Sequence, residues 1–182
     1  PLARAGASAT LAAHGRHCPP RGVTEILGPD GKPLALPDNT CEQVLEEGVA
    51  DTLTTVLRGV IDGPDPYRTG ISATIGRPAA GKTGTVNESK AAWFVGYTRH
   101  LSTAVWMGSP VGNTVKLRNV AGVARVTGGT FPARIWKAFM GPAHEGAPTR
   151  DFPRPPPPGQ ARNPQAPRRG GRGRPSAPPP PP

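Results

Sequence analysis

The spacing of apolar residues changes along the chain, and each spacing predicts an element. Residues 2 to 13 are Ala-rich and favour helix, with Gly15 just beyond as a stop signal. Cys18-Pro19-Pro20 then breaks regular structure. Val23-Thr24-Glu25-Ile26-Leu27 reads as a strand, Pro29-Asp30-Gly31 supplies turn chemistry, and Lys32 to Leu36 can return as the partner strand of a hairpin. Thr40 and Gln43 have the spacing of a capping box, and Gln43-Val44-Leu45 can be extended. A better helical stripe begins later, with Val49, Leu53, Val56, Leu57 and Val60 at offsets of four, seven, eight and eleven. It predicts a helix over about residues 47–60, ended by Gly59 and the Gly63-Pro64-Asp65-Pro66 cluster.

Beyond a loop the period shortens. Ala79 to Val86 reads as a strand, and Ala91 to Thr98 and Leu101 to Met107 are apolar, aromatic runs joined too tightly for anything but an antiparallel hairpin. Trp93, Val95 and Tyr97 fall on one face, Phe94 and Gly96 on the other. Continuous apolarity, rather than clean alternation, predicts that both faces are covered. Residues 111–126 are weakly patterned. Gly128-Gly129-Thr130-Phe131-Pro132 then opens a final helix, Ala133 to Met140, expected to present Ile135, Trp136 and Phe139 for packing. The pattern therefore predicts an α/β chain, with an antiparallel sheet between helix layers.

Composition divides the 182 residues unevenly. Residues 148–182 hold fourteen prolines, seven arginines and a single acidic residue, Asp151, so most of the formal charge of +10 belongs to this tail. Residues 1–147 are expected to form the folded part, and 148–182 a disordered, partly polyproline II tail. The folded part carries no strong electrostatic reason to bind nucleic acid. No apolar run approaches the roughly 20 residues of a membrane span, and no signal peptide is evident. The chain begins on Pro1 with a helical pattern already under way, so an upstream continuation is expected.

Cys18 and Cys41 are the only cysteines. A bridge between them would close a loop of about 24 residues, worth roughly 3 kcal/mol in an oxidising compartment; two buried thiols are the alternative. His14, His17 and Cys18 cluster like metal ligands, but a fourth ligand at a usual zinc spacing is lacking, and no metal or cofactor is expected.

The stretch from Gly76 to Tyr97 carries the chemistry and has two spellings. Gly76, Gly81, Lys82 and Thr83 match the phosphate-loop pattern G-x-x-x-x-G-K-[ST] at every fixed position. Lys82-Thr83-Gly84 also spells the Lys-Thr-Gly triplet of penicillin-binding proteins and class A β-lactamases. A phosphate loop needs a helix after the Lys-Thr pair and a later carboxylate for Mg²⁺. Here poor helix formers and a predicted strand follow, and Glu88 is the only acidic residue up to the end of the last helix. A nucleotide partner is therefore not expected. The triplet needs a strand, and in one Lys82 and Gly84 share a face while Thr83 and Thr85 share the other. An edge strand so built offers an ammonium, a bulk-free glycine and backbone donors to an extended peptide, as acyl transfer requires.

On residues 76–96, Leu101 to Gly108, Gly128 to Met140, His17-Cys18-Pro19-Pro20 and Val49 to Leu53, the chain resembles the C-terminal part of the transpeptidase domain of class A (bifunctional) penicillin-binding proteins of an actinobacterial type. The likeness covers about residues 1–145. It implies a penicillin-binding transpeptidase fold, shared with serine β-lactamases: an antiparallel sheet of about five strands flanked by helices, here incomplete. It also implies a D,D-transpeptidase that cross-links peptidoglycan stem peptides on the outer side of the cytoplasmic membrane. D-Ala-D-Ala and β-lactams would be its ligands, and a missing N-terminal anchor its only membrane link. By resemblance, Lys82 positions and activates a serine nucleophile, and Thr83 lines the cleft. Gly84 permits close approach, while Thr85 binds the carboxylate through its hydroxyl and lends its N–H to the oxyanion hole.

The departures are as informative. No Ser-x-x-Lys occurs, because Ser8, Ser72, Ser89, Ser102, Ser109 and Ser176 each have another residue three positions on, and Ser-x-Asn is absent too. The nucleophile and the glycosyltransferase domain of the family are expected outside this chain, which alone should be inactive. A D,D-carboxypeptidase or serine β-lactamase shares the triplet. A noncatalytic binding module, with the Arg/Gly tract 168–174 contacting nucleic acid, is the reading from a different class.

Overall fold

The computed structural model describes residues 1–112, 114–155 and 157. The Ala-rich N-terminal segment forms helix α1 (Leu2–Ala12). It stops where His14 and Gly15 turn left-handed, at φ of 57° and 86°. The Gly15 carbonyl there accepts the N–H groups of Val44 and Leu45 at 3.0 and 3.2 Å, and a Cβ at Gly15 would strike the Leu45 carbonyl. Strand β1 (Arg16–His17) pairs antiparallel with β2 (Glu42–Gln43), and Cys18 and Cys41 are joined by a disulfide just beyond that pair.

The hairpin expected over residues 23–36 contracts to one bridge, Leu27 with Pro33, around a turn in which Gly28 N–H donates to the Lys32 carbonyl at 2.8 Å. The reason is want of a surface to cover. Val23, Ile26, Leu27 and Leu34 remain between 44% and 56% exposed, and a two-stranded ribbon without a packed face does not sustain a ladder. Pro33 also brings no backbone donor.

Helix α2 (Glu47–Arg58) falls where the stripe predicted, but it is rotated from expectation. Val49, Leu53 and Val56 are 46%, 43% and 67% exposed, while Ala50, Asp51 and Thr54 are buried. Small and polar residues on the inner face let α2 approach closely enough for specific bonds. Thr54 Oγ1 meets the Tyr97 hydroxyl at 3.0 Å, and Asp51 Oδ1 meets His14 Nδ1 at 3.0 Å.

The central sheet is antiparallel with strands in the order β3 (Ala80–Thr85), β4 (Ala91–Tyr97), β5 (Ser102–Gly108). Both faces are covered, as continuous apolarity required. On the Tyr97 face lie α1 and α2, with Ala80 and Tyr97 packed against Leu11, Ala12 and Leu57. On the other face lies helix α3 (Phe131–Ala143), whose Ala133, Trp136 and Met140 enclose Phe94, Ile61, Ala73 and Ala79. Trp136 sits edge-on to Phe94 at 5.4 Å and donates its indole N–H to the Gly96 carbonyl at 3.2 Å. A Cβ at Gly96 would lie 2.9 Å from the Trp136 ring, so the glycine makes room for the largest core side chain. Helix α3 is longer than predicted at both ends, and its inward face is not the expected one. Trp136 is fully buried, but Ile135 and Phe139 are 49% and 55% exposed.

The weakly patterned stretch contains a small hairpin of β6 (Arg118–Val120) and β7 (Val123–Arg125), turned through left-handed Ala121 and Gly122. It brings Leu117 and Val126 onto Ala92. Past α3 the chain does not leave the domain at residue 148. Asp151 pairs with Arg58 at 3.0 Å, and Phe152, 6% exposed, stacks edge-on against Tyr97 at 5.6 Å. The start of the expected disordered tail is therefore packed strap. Its remainder, with the Arg/Gly tract 168–174, lies outside the described residues. No described helix is long and apolar enough to cross a membrane.

Candidate active site

Lys82, Thr83, Gly84 and Thr85 lie together on β3, the outermost strand of its sheet among the described residues. No helix follows the Lys-Thr pair. A one-turn 3-10 segment (Asn87–Ser89) leads straight into β4, so the phosphate-loop spelling does not make the helix N-terminus a phosphate loop requires.

The register fixes which backbone groups are free. Val86 N–H donates to the Ala91 carbonyl at 2.9 Å, and ladder bonds recur at every second residue of an antiparallel pair. Gly84 and Lys82, opposite Trp93 and Val95, therefore turn their amides toward β4. The N–H and C=O groups of Thr83 and Thr85 point to the open side. Lys82 and Gly84 side chains share the face of Trp93 and Val95, and a Cβ at Gly84 would press to 3.1 Å from that of Trp93.

Lys82 Nζ is exposed and donates to the Thr83 carbonyl at 2.8 Å, along the same open edge. Thr83 Oγ1 donates to Thr69 Oγ1 at 3.0 Å. Thr85 Oγ1 accepts the Gly128 N–H at 3.1 Å, which leaves its own proton to donate outward. Thr69 and Gly128 were not singled out for the site from the sequence. For Gly128 a signal existed in the Gly-Gly pair before α3: a Cβ there would collide with the Trp93 carbonyl and lie 2.8 Å from the backbone of Gly84. Nothing in the sequence marked Thr69, which only the tertiary fold brings to β3.

Beyond Thr85 the β3–β4 turn is held tightly. Glu88 and Ser89 are both left-handed, at φ of 60° and 58°. Ser89 is fully buried, accepting Arg125 Nε at 2.9 Å through its hydroxyl and the Leu117 N–H at 2.8 Å through its carbonyl. Glu88 binds Lys116 and, at 3.0 Å, Lys90. Hydrogen bonds from Lys116 and then Lys90 hold its carboxyl down at about 2. At the other end of β3, burial raises Asp62 above the ordinary aspartate range against the lowering effect of its hydrogen bond from Ala79 N–H.

The candidate metal cluster does not form. Cys18 is bonded to Cys41, His14 is engaged by Asp51 and Arg99, and His17 Nδ1 lies 3.1 Å from Thr10 Oγ1. No other group of three potential ligands converges among the described residues.

A three-stranded antiparallel sheet with helices on both faces and Lys-Thr-Gly on an edge strand defines a part of the penicillin-binding transpeptidase fold. The chain belongs to the penicillin-binding protein family. No family model matches it. It is 37% identical over 159 residues to Penicillin-binding protein 1A of Mycobacterium tuberculosis, a match that takes in 83% of this chain and 19% of that protein. The chain thus spans about a fifth of the length of such relatives. The solved structure of penicillin-binding protein PonA1 from the same organism superposes with a TM-score of 0.73 at 36% identity, covering 85% of this chain and 41% of the other. Penicillin-binding protein 3 of M. tuberculosis, complexed with ampicillin, shares the fold with a TM-score of 0.62 at 24% identity, over 85% of this chain and 36% of that one.

Proposed function

We propose that this chain supplies one wall of the acyl-transfer cleft of a peptidoglycan D,D-transpeptidase, whose serine nucleophile comes from sequence outside the 182 residues. The observation that carries the reading is the open edge of β3, where Lys82, Thr83 and Thr85 offer an ammonium, a hydroxyl and backbone groups left out of the β3–β4 ladder side by side. An extended peptide ending in D-Ala-D-Ala adds to this edge by main-chain hydrogen bonds. Its terminal carboxylate takes the Thr85 hydroxyl proton, with the Lys82 ammonium nearby. The Thr85 N–H, directed away from β4, is placed to donate to the oxyanion that forms when a serine attacks the penultimate carbonyl. Lys82 lowers the cost of the serine alkoxide and of the developing negative charge. Gly84 keeps that face of the strand clear. The bond formed is the seryl ester, the bond broken is the peptide bond to the last D-Ala, and an amine of a neighbouring stem peptide then displaces the serine. A β-lactam occupies the same edge. The working location is the outer side of the cytoplasmic membrane, and the disulfide accords with an oxidising compartment.

Fluorescent penicillin labelling tests this. The full-length parent polypeptide is expected to become covalently labelled, and Lys82→Ala in that parent to slow acylation roughly 10²-fold or more. The 182-residue chain alone is expected to stay unlabelled. Labelling of the isolated chain, or a Lys82→Ala parent acylated at the original rate, contradicts the proposal.

A further inference from the structure

The turn that follows Lys82-Thr83-Gly84-Thr85 is strained, and one run of chain holds both the turn and Thr85. Glu88 and Ser89 are left-handed in succession, at φ of 60° and 58°, a conformation that residues other than glycine keep where their surroundings impose it. Those surroundings come from residues 116–125. Lys116 binds the Glu88 carboxylate, Leu117 N–H donates to the Ser89 carbonyl at 2.8 Å, and Arg125 Nε donates to the Ser89 hydroxyl at 2.9 Å. Val126 N–H donates to the Leu117 carbonyl at 3.0 Å, so both ends of the β6–β7 hairpin bear on the turn together. The chain leaving that hairpin runs directly to Thr85. Val126, fully buried, packs on Ala92, the partner of Thr85 across the β3–β4 ladder. Two residues on, Gly128 N–H donates to Thr85 Oγ1 at 3.1 Å, while the Gly128 carbonyl accepts Ala133 N–H at 3.2 Å in the first turn of α3. Residues 125–128 are thus pinned in turn at Ser89, Ala92 and Thr85. The pin at Ser89 is made by a side chain, so it can be removed without altering the backbone that holds Thr85.

We infer that Arg125 is a positioning residue for Thr85, a role that rests on the proposed use of the Thr85 hydroxyl to bind the terminal carboxylate of the substrate. Through Ser89, Arg125 fixes residues 125–128, and through the Gly128 amide that segment fixes where the Thr85 hydroxyl proton points. A hydroxyl that accepts an N–H from one fixed direction sends its own proton in another. If Gly128 shifts, the proton swings away from the carboxylate. The backbone N–H of Thr85 is set instead by the register of β3 on β4, so the oxyanion contact is disturbed less than the carboxylate contact. Loss of Arg125 should therefore penalise a ligand that carries the carboxylate more than one in which it is masked.

The test compares benzylpenicillin with its methyl ester, each in competition with fluorescent penicillin on the full-length parent, and reads the ratio of the two acylation rates. In the unaltered parent the acid is expected to react faster than the ester. Arg125→Ala should lower that ratio roughly 3- to 10-fold, part of what a hydrogen bond to a charged group contributes, chiefly by slowing the acid. Arg125→Lys keeps a donor for Ser89 and should restore part of the ratio. Arg118→Ala removes an equal charge from the residue opposite Arg125 in the hairpin and should leave the ratio unchanged. Both compounds act on the same folded fraction, so a loss of stability alone cancels from the ratio. Where Arg125→Ala does not fold, Ser89→Gly suits the left-handed backbone, breaks the same bond from its other end and reads the same ratio. An unchanged ratio in Arg125→Ala or Ser89→Gly, or an equal fall in Arg118→Ala, overturns the assignment. Equal rates for acid and ester in the unaltered parent would instead remove the carboxylate role of Thr85, and a parent that penicillin never labels would remove the transpeptidase reading itself.

Discussion

Glu88 shows how a single residue beside the cleft answers to pH. Its carboxyl, half exposed, is held at about 2 by Lys116 and Lys90, against an ordinary 4.5. A carboxyl depressed in the folded state contributes stability while it is ionised in both states, that is, above about 4.5, and loses it as pH falls toward 2. We therefore expect Glu88→Gln to lower the melting temperature of the parent protein at pH 6 to 7, with the difference closing between pH 4.5 and 2 and shrinking with salt. Thermal melts of the two proteins across that range check it, and a gap that widens on acidification contradicts it. At this scale the sequence was legible where chemistry has a spelling. The strand placement of Lys82-Thr83-Gly84-Thr85 could be read, as β3 shows, and so could the departures from a phosphate loop, from the poor helix formers after Lys82. Thr69 carries no such spelling, and Gly128 only the Gly-Gly pair before α3, because their contacts with β3 exist only once the sheet has packed.

Among elements, those that emerged where expected are those whose side chains leave no alternative partner. The β4–β5 hairpin is dense in aromatic and β-branched residues and has helices over both faces, so its register follows from its apolar pattern. Helix α2 was legible in position but not in rotation, since its most apolar stripe is not the face that packs. The strap after α3 was not legible at all: one phenylalanine amid proline and arginine has the composition of a disordered tail. Burial decides otherwise. Phe152 closes over Tyr97, Leu57 and Leu11, with the Arg58 guanidinium 5.8 Å from its ring. Phe152→Ala in the parent is expected to cost about 3 kcal/mol, the range for emptying a buried phenylalanine site. Asp151→Asn should cost no more than about 1 kcal/mol, because its ion pair is largely exposed to solvent. Equilibrium unfolding in urea distinguishes them, and equal small effects would mean that the strap is not packed in solution.

For the whole molecule, the faces that the sequence marked as apolar but the fold leaves open set the behaviour of the isolated chain. Val49, Leu53 and Val56 on α2, Ile135 and Phe139 on α3, and Trp106 on β5, 45% exposed, occupy separate elements. These elements belong, in the relatives, to a chain about five times as long, and apolar faces left without their partners are sites of association. The β5 strand adds an edge with no further partner strand among the described residues, and unpaired edges recruit other chains. Net charge opposes association, but +6 of the +10 is carried by residues 148–182 rather than by the residues of these faces. Attraction between faces should therefore prevail over repulsion between tails. The 182-residue chain alone is expected to self-associate at micromolar concentration and to bind a hydrophobic dye, and deleting residues 158–182 should worsen the association. Sedimentation velocity over a hundredfold concentration range checks this. A concentration-independent monomer with a sharp cooperative thermal transition would mean that these faces are covered within the chain itself, and that the cleft wall is an independently stable unit.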